Sequence, residues 1–452
     1  MHLLKENGVS QVEELLAECC DPNRKRLMVQ VFDELSNALC RVADLAEFLR
    51  IASPDRAVGG ASERACIAIA TLVEQLNTHA ELYKELKRVV DNGDHFATTA
   101  MDNYVAQLFL FDFEQCGIHL PEAQRRQVVA LNEHILQLGQ LFSNNAHQSR
   151  SVSKEDLPPH IRHQYEKIPI HSLRGIEIFI PGIEFRDRFA LDGENITING
   201  LYTDAANEVA REAAYKIYLY PSEEQEMVLV KLLKARHQLA RLCGFPSYSH
   251  RTLRGSLAES PEMVVDFLDS LTAELKPRAA RDYNTMRDMK KHTNPSSRDL
   301  AVWDTPYFTG LARRQVTGYS DDLAPYFSLG SCMEGLDMLF HTLYGIRLRL
   351  CPLKPGEAWS SDIYKIQVVH ESEGFIGHIY CDFYDRPRKP HQDCHFTIVG
   401  GKELPDGTYQ NPVVVLMLTL PSPAWGTPSL LTPNMADNLF HEMGHAMHSM
   451  LA

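Results

Sequence analysis

The sequence contains no apolar run that approaches the roughly 18 residues of a membrane-spanning helix. It also opens without a secretory leader. The first residues, MHLLKENGVSQVEELL, have no apolar central region, and they are too acidic and too poor in arginine for a mitochondrial presequence. An organellar address is therefore not expected within this chain. Basic residues are in deficit: 45 Lys and Arg stand against 59 Asp and Glu, for a net charge of -14. That balance argues against nucleic acid, whose partners neutralise phosphates with Lys and Arg. The ten cysteines, at 19, 20, 40, 66, 116, 243, 332, 351, 381 and 394, never form C-x-x-C. They read as free thiols of a reducing compartment, and a cysteine-based metal or redox centre would need paired spacing that is absent. Internal repeats and low-complexity tracts are missing too.

What remains is the composition of an ordinary folded protein, 44% hydrophobic and 23% charged over 452 residues. A chain this long can bury a large core without metal or disulfide, and it has room for two or three domains or one two-lobed body. The first 350 residues read mostly as helix. Phe32, Leu35, Leu39, Val42, Leu45 and Leu49 keep to one helical stripe in 28–50, and Leu72, Leu76, Tyr83, Leu86 and Val90 do so in 62–91. Further helices are expected over 100–116, 121–145, 204–219, 222–243, 260–291 and 321–345, with Ser260 and Pro261 as cap and first-turn proline. Nearly all of these stripes are expected to pack helix on helix. Residues 168–200 are β-branched and broken by Gly and Pro, so short strands or loop are expected there.

The rhythm changes over 364–418. YKIQVVH, FIGHIYCDFY, CHFTIVG and PVVVLML are four strand-like runs separated by turn residues. Val413–Met417 is continuous and apolar, which suits a central, buried strand. Prolines at 421, 423, 428 and 433 then exclude regular structure until Thr432-Pro433 caps a last helix over about 433–450.

That helix carries His441-Glu442-Met443-Gly444-His445, an H-E-x-x-H pattern. Histidines four apart lie on one face, one turn from each other, so both imidazoles can reach one zinc ion. Glu442 is one step round from His441, placed to take a proton from a water whose pKa zinc lowers toward ~7. Leu439, Met443, Met447 and Met450 suit the buried sides of the same helix. The small sheet just before it is expected to lie alongside.

Other candidates carry less. His370-Glu371-Ser372-Glu373-Gly374 starts like the motif but lacks the second His, and reads as a strand end. His391, Cys394 and His395 are metal-capable types, yet neighbours on a strand point to opposite faces, which works against a shared ion. His448 continues the face of His441 and His445, and packing or a hydrogen bond is the expected role. Asp437 is either a hydrogen-bond partner of a ligand His or a first-turn acid on the helix dipole.

LFHEMGHAMHSML resembles the motif helix of the thimet oligopeptidase family of zinc metallopeptidases. VVHESEG, IYCDFY, KPHQDCHFTI, VVVLML, LLTP, REAAYKIYLYP, LFLFDFEQCGIHL and FDELSNALCRVADLAEFL extend the likeness from about residue 30 to 452. They narrow it to the branch that removes an N-terminal octapeptide from imported precursor proteins in the mitochondrial matrix. The resemblance implies a mainly α, two-lobed metalloendopeptidase with a deep channel. It implies a small β-sheet preceding the zinc-binding helix, with an edge able to pair with an extended peptide. It assigns His441 and His445 as zinc ligands and Glu442 as catalytic base. Expected partners are unfolded peptides or precursor N-termini, and the chain is expected to act as a monomer. Residues 1–203 would form an N-terminal helical lobe and 204–452 the first part of the metallopeptidase domain.

This family takes its third ligand, a Glu, and its oxyanion-stabilising side chains from downstream of the motif helix, whereas seven residues follow His445 here. The chain is accordingly expected to lack the C-terminal part and to be inactive or nearly so, unless Glu371 or Glu373 completes the site. The rival reading is a catalytically inactive helical fragment that binds peptides or partners.

Overall fold

The structure, a computed structural model, describes residues 1–146, 150–153, 188–191, 205–208, 211, 212, 214, 215, 219, 223–295, 299–317, 321–386, 389, 390, 392–404, 406–423 and 426–452. They are mainly helical with a small mixed sheet, as the patterning predicts. Five helices come first: α1 (His2–Cys19), α2 (Met28–Ala52), α3 (Arg56–Asn77), α4 (Ala80–Asn92) and α5 (Ala100–Gln115). The single helix expected over 62–91 is two. The break falls at Thr78-His79, where His79 Nδ1 accepts the Leu82 N–H at 3.1 Å and so caps α4. Val12, Leu15, Phe32, Leu35, Leu82, Leu86 and Phe113 join these helices in one core.

Residues 120–320 form a separate compact unit. It holds α6 (Glu122–Ala146), a two-stranded pair β1 (Arg150–Ser153) and β2 (Arg188–Leu191), then α7 (Glu223–Leu242), α8 (Tyr248–Leu253), α9 (Pro261–Thr293) and α10 (Thr305–Thr317). Ser260 caps α9 as expected, its hydroxyl accepting the Met263 N–H. The rest of the 168–200 stretch, most of the helix expected over 204–219, and the 203/204 boundary lie outside the described residues. By contacts, residues 1–119 and 321–452 group together as the other unit, interrupted in sequence by 120–320.

The second half of that other unit begins with α11 (Leu329–Tyr344), shorter than the 321–345 expected because residues 321–326 form a tighter 3₁₀ turn. The strands follow: β3 (Ile346–Cys351), β4 (Tyr364–His370), β5 (Gly374–Tyr384), β6 (Cys394–Val399), the short pair β7 (Lys402–Glu403) and β8 (Tyr409–Gln410), and β9 (Val413–Leu420). The chain closes with α12 (Pro433–Leu451). The main sheet runs β3-β4-β5-β9-β6. All neighbours are antiparallel except β5 and β9, which are parallel. β9 is thus interior, and its two faces enter two different cores. Val414, Leu416 and Leu418 pack with α11 and α12, while Val415 and Met417 pack with Phe48 and Ala52 of α2. A continuous apolar run is what a strand covered on both sides requires.

Candidate metal centre

Thr432 caps α12, its hydroxyl accepting the Met435 N–H at 3.3 Å, with Pro433 in the first turn. Ala436, Leu439, Met443, Ala446, Met447 and Met450 bury one side of the helix against β5, β9 and α11. Period 3.6 then turns His441, His445 and His448 to the open side. The Nε2 atoms of His441 and His445 lie 3.1 Å apart. Their rings stand nearly at right angles, with centroids 4.8 Å apart. Glu442, one step round, is buried at 8% exposure.

β6 is the sheet edge nearest this pair. Its even residues Cys394, Phe396 and Ile398 face α2. Its odd side faces α12: His395 Nε2 lies 3.1 Å from Ser449 Oγ, and its ring stacks beside that of His445 at 6.3 Å and 28°. One residue before the strand, Asp393 accepts the Asn438 Nδ2 donor at 2.7 Å and the backbone N–H of Thr419 at 2.7 Å. Burial, aided by the nearby imidazoles of His445 and His448, pushes the His395 pKa down. Burial, aided by the charges of Glu442 and Asp393, pushes the Cys394 thiol up to about 11.

The structure therefore brings His441 and His445 together and places Glu442 on the helix wall beside them. Among the described residues no group of three His, Cys, Asp or Glu forms a metal cluster. Glu371, considered as a third ligand, instead lies against the C-cap of α11. A Cβ on Gly345 would meet its side chain at 2.9 Å, and its backbone N–H donates to Gly345 O. His370 ends β4, as expected, and its Nδ1 accepts the N–H of Glu373 at 3.3 Å. Cys394 and His395 point to opposite faces, as strand geometry requires, and His391 lies outside the described residues. Asp437 is exposed; the hydrogen bond toward the sheet comes from its neighbour Asn438. Asn438, Asp393 and Ser449 belong to no motif in the sequence. One signal was present, since 438, 441, 445 and 449 fall on a single helical stripe.

The sequence profile of peptidase family M3 matches residues 201–452. The chain is 45% identical over 451 residues to the mitochondrial intermediate peptidase of Mus musculus, covering 99% of this chain and 60% of that protein. To the mitochondrial intermediate peptidase of Homo sapiens it is 44% identical over 454 residues, with 100% and 60% covered. To that of Coccidioides immitis (strain RS) it is 33% identical over 470 residues, with 94% and 57% covered. The chain thus spans about 60% of the length of the mammalian relatives it matches.

Proposed function

Because the chain belongs to peptidase family M3, a family of metallopeptidases, we propose that it is the zinc-binding part of a metalloendopeptidase acting on precursor N-termini in the mitochondrial matrix. The names of its mouse and human relatives support the compartment and the peptidase class. Removal of an octapeptide from unfolded precursor ends by a monomer is the finer reading that the motif resemblance implies. The family match begins at residue 201, which supports 204–452 as the metallopeptidase part.

The observation that carries the reading is the convergence of the two Nε2 atoms at 3.1 Å on a capped, well-buried helix. Two nitrogens each ~2.0–2.1 Å from a tetrahedral zinc stand about 3.3 Å apart, so the pair needs little adjustment to share one ion. His441 and His445 are the holders. When bound, zinc supplies polarisation of the scissile carbonyl and a water with a pKa of about 7. Glu442 is the base that accepts the proton of the attacking water. Among the described residues β6 is the outer strand of the sheet beside the histidines, a place where an extended peptide can add as a further strand.

The test combines metal and activity measurements. His441→Ala and His445→Ala should each abolish tight zinc uptake, while Glu442→Gln should keep zinc and lose nearly all peptide hydrolysis. Hydrolysis is to be assayed in this chain and in a form extended to the length of its relatives. Wild-type turnover by Glu442→Gln in the extended form would remove Glu442 from the mechanism. Comparable kcat/KM in the two lengths would reject the finer expectation that the 452-residue chain is inactive. Zinc uptake without turnover in either length would favour the rival peptide-binding reading.

A further inference from the structure

The four residues Asn438, His441, His445 and Ser449 follow one another at three, four and four along α12, so their side chains form one stripe. β6 and its approach touch that stripe at both ends. Asp393 accepts from Asn438 at 2.7 Å, and His395 bonds Ser449 at 3.1 Å. The two histidines of the candidate metal centre lie between these ties. Of the strand residues, His395 alone sets its ring beside one of them, with its plane 28° from that of His445.

An imidazole on the open side of a helix has freedom about two side-chain bonds, and its nitrogen meets a metal only in part of that range. His445 is exposed, because α12 buries its other side. The His395 ring is itself restrained. It is half-buried, it comes from a strand paired to β9 with His395 opposite Leu416, and Ser449 ties its Nε2 one turn beyond His445. A fixed ring beside a freer one limits where the freer one can turn.

We propose that His395 is a positioning residue: anchored by Ser449, its ring holds the His445 imidazole in the orientation that brings Nε2 to the Nε2 of His441. The role rests on the reading of His441 and His445 as metal ligands. It differs from a ligand role, since the Nε2 of His395 is engaged with the Ser449 hydroxyl. It also explains why a metal-capable residue stands on the helix-facing side of the edge strand.

The experiment uses the whole 452-residue chain. Zinc affinity is measured by competition with a chromophoric chelator, and the visible spectrum of the cobalt(II)-loaded chain reports ligand geometry. Thermal unfolding without metal is followed in parallel. His395→Ala should weaken zinc binding by about 10–100-fold, the usual effect of losing a group that orients a ligand, and should alter the cobalt spectrum. Ser449→Ala should reproduce the loss in weaker form, and His395→Phe, which keeps a ring without the hydrogen bond, should fall between Ala and wild type. The unfolding temperature of Ser449→Ala without metal should stay near wild type, so that the variant remains informative if His395→Ala folds poorly.

Wild-type affinity and an unchanged cobalt spectrum in Ser449→Ala and His395→Phe would overturn the positioning role while leaving the metal reading intact. A lower unfolding temperature with unchanged affinity would also overturn it, since that is what a purely structural contact gives. A wild-type chain that takes up no zinc or cobalt would overturn the metal reading and the positioning role together.

Discussion

Single side chains in this protein are tuned by what donates to them. Glu357 is the clearest case. Its carboxylate accepts the backbone N–H of Lys354 at 2.6 Å, the Lys365 ammonium at 2.6 Å and the Tyr380 hydroxyl at 2.8 Å. These bonds, the backbone one foremost, hold its pKa down at about 2. An acid depressed in the folded state adds stability above its unfolded value, near 4.5, and loses it as pH falls toward about 2. Glu357→Gln should therefore lower Tm at pH 7, and the gap from wild type should close between pH 5 and pH 2. A gap independent of pH over that range would show that the charge of Glu357 contributes nothing to stability.

At the level of elements, close approach decides. Gly377 of β5 lies where α12 crosses the sheet. A Cβ there would meet Met450 Sδ at 2.5 Å and the backbone oxygen of Pro412 at 2.7 Å. The methionine can move, but the backbone of the strand junction cannot do so cheaply. Gly377→Ala should cost about 1–3 kcal/mol, the range for an extra methyl in a packed core, despite the gain in strand propensity. Urea unfolding checks this, and an unchanged midpoint would mean that the helix does not sit on the strand at this distance. Elements with a strong internal period were legible in sequence: β4, β5, β6, β9 and α12 lie where patterning puts them. β3 is less legible, although Ile346-Arg347-Leu348-Arg349-Leu350 alternates, because the helix before it ends on Gly345 without a proline to mark the change. The H-E-x-x-H motif was legible because its histidines are four residues apart. Asp393 with Asn438 and His395 with Ser449 are separated by 45 and 54 residues. They meet only because β6 pairs with β9 and not with β5, and no local pattern specifies that strand order.

At the scale of the whole chain, the sheet is tied to the amino-terminal helices through a buried charge. Asp382 accepts from Arg386, from Lys389 Nζ at 2.8 Å and from Trp359 Nε1 at 2.8 Å. Burial alone would raise its pKa, but the bonds from Arg386 and Lys389 outweigh burial and hold it below the usual carboxylate range. Arg386 reaches on to the carbonyl of Ala52 at the end of α2, and Phe48 packs edge-on to Trp359 at 4.6 Å. Asp382→Asn leaves the buried Lys389 ammonium and the partly buried Arg386 guanidinium short of a counter-charge and should cost about 3–5 kcal/mol. Trp359→Phe removes one donor and should cost less. Equal unfolding midpoints for Asp382→Asn and wild type would refute this account. The tie between Arg386 and Ala52 spans 334 residues, which has a consequence in time. Emerging from a ribosome at about 5–20 residues per second, α2 is made roughly 15–70 s before the strands that cover its Phe48. For that interval the Phe48 and Ala52 end of α2 lacks the strand residues Val415 and Met417 that cover it, and the residues in between must fold, or be kept from aggregating, while that end waits.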